Sequence, residues 1–141
     1  MLFQPSRDDV RRFLAESYRR WRAGLPLEPM QAVAAEVIAL HPEYFALFDD
    51  ETQLFRDYTP EDGGVNPFLH LTLHLAVAEQ LAIDQPPGIK ALYAVRVQKR
   101  GDPHEALHDL VEALGMTLFE AQRAGRMPDN DSYLERIRRL P

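Results

Sequence analysis

Apolar residues recur at spacings of three and four through most of the chain, the period of helices that pack by one face. Val10, Phe13, Leu14, Tyr18 and Trp21 form the first such face. Ser6, with Asp9 three residues later, has the form of a capping box that opens this helix, and Gly24 closes it. A second face follows at Met30, Val33, Ala34, Val37 and Ile38, and His41 continues its stripe just before Pro42. A cationic histidine there also suits the negative end of the helix dipole. "PEYFALFDD" reads as a short helix and "ETQLFRDYTPEDGG" as the longest loop, folded back over the core by Phe55 and Tyr58.

The second half is punctuated more sharply. Asn66 as N-cap and Pro67 as first helical residue open a long helix that runs to about Ile83, ahead of the prolines in "DQPPG". In "GIKALYAVRVQKR", Val95 and Val97 suit a strand, but Ile89, Leu92, Tyr93 and Val97 suit a helix, and no partner strand is on offer. A helix is predicted. Asp102 and Pro103 start the next helix, to about Ala124, and a last short one begins near Asn130 and docks through Tyr133, Leu134 and Ile137. Leu107, Leu110, Val111, Leu114 and Leu118 define the main stripe of the helix after Pro103, while Met116 and Phe119 give another side some apolar character. The pattern predicts one all-α domain, residues 1–141, an irregular helical bundle of about four long and two or three short helices.

Composition narrows the function classes. The chain of 141 residues is 45% hydrophobic and 27% charged, an ordinary globular balance, with a formal charge of −6 that gives nucleic-acid binding no support. The basic runs "RRFLAESYRRWR" and "ERIRR" alternate with apolar residues and read as wetted helix faces. Cysteine is absent, which removes disulfides, thiolate ligands and cysteine nucleophiles. No run approaches the roughly 20 apolar residues of a spanning helix. "MLFQPSRDD" carries acids where a signal peptide would be apolar, so a cytoplasmic protein without membrane association is expected. Glycines form no phosphate-binding fingerprint, and the acid pairs Asp49–Asp50 and Glu61–Asp62 read as solvated loop charge.

The histidines carry the candidate chemistry. Counting 100° per residue from Asn66 puts Val77, His70, Leu81 and His74 within about 20° to 80°, and Thr72 and Glu79 nearly opposite. His70 and His74 therefore belong to a buried arc that Leu69 and Leu73 flank. Buried imidazoles need partners for both nitrogens, and either a metal or hydrogen bonds to neighbouring polar groups can supply them. His104 and His108 repeat the same spacing on a later helix, with Glu112 one turn on as a ligand or a local hydrogen-bond partner. A set drawn from His70, His74, His104, His108 and Glu112 is nitrogen-rich with a carboxylate, and suits zinc, iron, nickel or cobalt. It lacks the four glutamates and two Glu-x-x-His motifs of ferritin-like bundles.

Residues 104–108, "HEALH", also fit H-E-x-x-H, in which two histidines hold zinc and a glutamate, here Glu105, acts as general base. That hydrolase reading needs a third ligand from a neighbouring helix, from His41, His70 or His74, and a cleft for substrate. Two further readings stand beside it. One is a non-catalytic metal site in which the two histidine pairs converge. The other is a metal-free structural or protein-interaction module, closing on an unknown protein partner or on a second copy through an apolar patch such as that around Phe13 and Trp21.

"PSRDDVRRF", "HPEYFALFDD", "RDYTPEDGGVNPFLHLTLHLAVAEQLAIDQPPGI", "GDPHEALHDLVEALG" and the closing "EAQRAGRMPD…YLERIRR" make the chain resemble, over nearly its full length, the bacterial family known as domain of unknown function 1841. The resemblance implies a small cytoplasmic bacterial protein and leaves its activity open. It also implies histidines at the positions of His41, His70, His74, His104 and His108, with acids at Glu79 and Glu112.

Overall fold

A computed structural model of the chain describes residues 6–58 and 66–141. The fold is all-α. The described residues form α1 (Arg7–Arg22), α2 (Pro29–Ala39), a 3-10 turn (Pro42–Tyr44), α3 (Phe45–Asp49), α4 (Glu51–Leu54), α5 (Pro67–Ile83), α6 (Ile89–Arg100), α7 (Pro103–Ala124) and α8 (Asn130–Arg138). Long and short helices are mixed, as the irregular helical class predicted from the periodicity requires. None of them is long and apolar enough to cross a membrane. The acid pair Glu61–Asp62 and the first five residues of "MLFQPSRDD" lie outside the described residues.

The expected helix starts are present with their bonds. Ser6 Oγ accepts from the Asp9 amide, and Asp9 accepts from the Ser6 amide. Asn66 accepts from the amides of Phe68 and Leu69, and Asp102 from that of His104. Each bond satisfies a donor that the first helical turn leaves without an intrahelical acceptor. Gly101 ends α6 with φ +71, and nothing lies within 4 Å of where its Cβ would stand. Gly101→Ala is therefore expected to cost about 1 kcal/mol from backbone conformation alone, and Gly101→Asn less. Urea titration of the two variants checks the order.

The chain divides into two compact units, Met1–Leu75 and Ala76–Pro141. In the first, α1 packs on α2 and α3 around Leu14, Tyr18, Ala34, Ile38, Leu54, Phe68 and Leu71. Tyr18 sits among aromatic rings, 5.2 Å from Phe48, 5.5 Å from Phe45 and 6.2 Å from Trp21 between centroids. Phe13 and Trp21, the residues of the expected apolar patch, pack against this core and are half-buried. Tyr58 folds back onto the core as expected, whereas Phe55 stays exposed.

Three positions in this unit depart from the periodicity. Met30 is exposed in the first turn of α2. Leu69 is exposed while Phe68 and Leu71 are buried, because the Phe68 ring fills the space between Phe48 and Tyr58, 5.8 Å from each. Arg11, on the basic run read as a wetted face, is instead buried. Its Nη1 donates to the carbonyls of Leu54 (3.0 Å) and Arg56 (2.7 Å), and its guanidinium lies 4.6 Å from the Phe68 ring centroid. A planar cation over an aromatic face with backbone acceptors at one end tolerates burial better than an ammonium would.

In the second unit α6, α7 and α8 pack on one another. Tyr133, Leu134 and Ile137 dock α8 as predicted. On α7 the buried face is shifted from the leucine stripe. Ala106, Ala113, Thr117 and Ala121 are buried with Leu110, Val111 and Leu114, whereas Leu118 is exposed. Arg96 on α6 is buried against Asp109 of α7. Tyr133 donates to Gln80 Oε1 at 2.7 Å, and burial pushes its hydroxyl pKa well above the usual phenol range.

Candidate metal centre

The first unit gathers three histidines from two stretches of chain. Pro42 bars residue 41 from helical geometry, so α2 stops, and His41 takes φ −128, ψ 65 at the start of the 3-10 turn. The backbone therefore turns back, and the His41 ring lies under the end of α2, only 2% exposed. His41 Nδ1 lies 2.8 Å from the Val37 carbonyl. A carbonyl only accepts, so Nδ1 carries the hydrogen, and a neutral ring then presents its lone pair at Nε2. This is the hydrogen bond that orients metal-ligating histidines in general.

His70 and His74 face that lone pair from α5, one turn apart. His70 Nε2 is 3.1 Å from His41 Nε2. The His74 ring, 2% exposed, stands 4.7 Å from each of the other two between centroids, and His41 and His70 are 4.9 Å apart. His41 and His74 offer ring nitrogens within 4.8 Å of one another. Tyr44 stacks on His41 at 5.4 Å with planes 5° apart, and burial, with a smaller contribution from Glu43, raises its hydroxyl pKa so that it stays a neutral wall.

The 3.1 Å between two Nε2 atoms suits two roles. Between neutral rings, His70 Nε2–H donates to His41. Two nitrogens on one tetrahedral ion at 2.0–2.1 Å would be about 3.3 Å apart, close to the same separation. His41 and His74 thus belong to a histidine-rich group capable of coordinating a metal ion, and His70 adjoins it through His41. His41 is the member that the predicted ligand set left out, although its place on the Val37–Ile38 stripe was already visible.

In the second unit the "HEALH" segment forms the first turns of α7. His104 and His108 are half-buried, their ring centroids 4.3 Å apart, with nitrogens again within 4.8 Å. Glu105 is exposed and ion-paired with Arg100 at 2.7 Å. Glu112 is exposed as well, and Glu79 lies on the exposed side of α5 as the helical count predicts.

Residues 6–139 match the family described as Domain of unknown function (DUF1841). The chain belongs to that family. No curated protein and no solved structure matches the chain. Imidazole donors without thiolates favour zinc, iron, nickel or cobalt over calcium or magnesium, which need mostly oxygen ligands.

Proposed function

We propose that this protein binds a transition-metal ion, zinc or iron, through neutral imidazoles. In the first unit the donors are His41, His70 and His74; in the second they are His104 and His108. One observation carries the proposal. The Val37 carbonyl fixes the His41 tautomer so that its Nε2 lone pair meets His70, beside the buried His74. A fold that needed only packing in this place would fill it with leucine, since buried polar rings cost free energy unless every nitrogen is satisfied. Stoichiometry reads how many ions these two sets of histidines hold.

Cobalt(II) titration of the metal-free full-length protein tests the donors. Nitrogen-rich coordination gives a visible ligand-field spectrum, and an ion held at a hundred times its Kd raises stability by about 2.7 kcal/mol. Loss of the outer partner that orients a ligand costs affinity of order 10- to 100-fold, and loss of the ligand itself costs at least as much. His41→Ala and His74→Ala are each expected to weaken cobalt binding in the first unit by at least that factor, and the triple variant with His70→Ala to lose the part of the spectrum that this unit gives. An unchanged spectrum in the triple variant would place the metal elsewhere and refute the reading.

A further inference from the structure

One exposed face of α7 is left unused by metal binding. Counted at 100° per residue from Glu112, Met116, Phe119 and Arg123 fall within about 40° of one line, and the buried residues Leu110, Thr117 and Ala121 lie about 140° to 180° away. Met116 is 48% exposed and Phe119 54% exposed, and the Arg123 guanidinium stands 5.8 Å from the Phe119 ring centroid. Glu112 and Arg123 are exposed too. Neighbouring charges are engaged: Glu120 is held by Arg136, and Glu105 by Arg100. Among the described residues neither Glu112 nor Arg123 has an ion-pair partner.

The order along this line is acid, apolar, apolar, base, and it is its own antiparallel complement. Around a twofold axis midway between Thr117 and Leu118, Met116 of one copy stands opposite Phe119 of the other. Glu112 then stands opposite Arg123, and the same pair recurs on the other side of the axis. Gly115, near the crossing point, has no side chain to hold the helices apart. An isologous dimer requires a surface complementary to its own reversal, and this face meets that requirement.

We propose that α7 pairs antiparallel with α7 of a second copy through Glu112, Met116, Phe119 and Arg123, forming a homodimer. Four residues per copy make a patch well under the roughly 800 Å² per partner of a standard interface. The dimer is accordingly weak, with a Kd in roughly the micromolar range. It does not depend on the metal reading, since the face uses none of the histidines.

Sedimentation equilibrium of the full chain across that range tests it. Wild type should show reversible monomer–dimer association, and Phe119→Glu should remain monomeric. Glu112→Arg alone and Arg123→Glu alone each turn two attractions into two repulsions, and should weaken the dimer about tenfold or more. The double variant Glu112→Arg with Arg123→Glu restores the complement and should return association to near the wild-type level. All four positions are exposed, so circular dichroism should show the fold intact. A wild type that stays monomeric throughout, a dimer indifferent to these changes, or a double variant as weak as the single ones would each overturn the proposal.

Discussion

Arg96→Met is expected to destabilise the second unit by about 3 kcal/mol, among the largest effects of any single change in the chain. Arg96 is only 4% exposed, and it spends every donor group on the fold. Nε and Nη2 donate to Asp109 Oδ2 at 3.1 and 2.8 Å, and Nη1 donates to the carbonyl oxygens of Leu140 and Pro141 at 3.3 and 2.9 Å. The side chain thereby ties α6 to α7 and to the chain beyond α8. Methionine fills most of the volume but leaves Asp109 charged and little exposed, with only the outer Arg100 Nε at 3.4 Å. Pairing Arg96→Met with Asp109→Leu removes the stranded charge and should recover most of the loss, because replacing both partners of a buried pair is far cheaper than removing one. Urea denaturation of the three variants measures the cycle. A loss below about 0.5 kcal/mol for Arg96→Met would mean that the pair is little more than surface charge.

Leu14→Ala should cost the first unit a similar amount, about 3 kcal/mol. Leu14 is fully buried between Tyr18, Ile38, Leu54 and Phe68, and the rings around Tyr18 are fixed by their contacts with one another. Such a wall relaxes poorly into the space left behind, so the cavity cost adds to the lost transfer energy. Leu14→Met keeps the volume and should cost less than about 1.5 kcal/mol. Denaturation midpoints at unchanged slope give both numbers. A near-equal cost for Ala and Met would show the core to be loosely packed.

Where local chemistry decides, the sequence was readable. Ser6 with Asp9, Asn66 with Pro67, and Asp102 with Pro103 each needed only a short polar side chain and the next few amides, and all three helices begin there. The burial of His74 followed from counting around α5. Distant partners decided the rest. Arg11 is buried because two carbonyls more than forty residues away accept from it. Leu118 is exposed although around α7 it lies between the buried Leu114 and Val111, because a periodic pattern marks a face without saying how far along the helix a neighbour covers it. His41 was visible on the α2 stripe, but its partner His70 stands 29 residues along the chain, and only the turn at Pro42 brings the two nitrogens together.

Metal binding by these imidazoles is the central claim. Element analysis of the full-length protein, purified without a histidine tag and desalted after reconstitution, measures that directly. At least one zinc or iron ion per chain is expected after reconstitution, and one ion fewer when His41 and His74 are both replaced by alanine. Less than roughly 0.1 ion per chain, unchanged by reconstitution, would contradict it, since a site built into the fold should bind tightly enough to survive desalting.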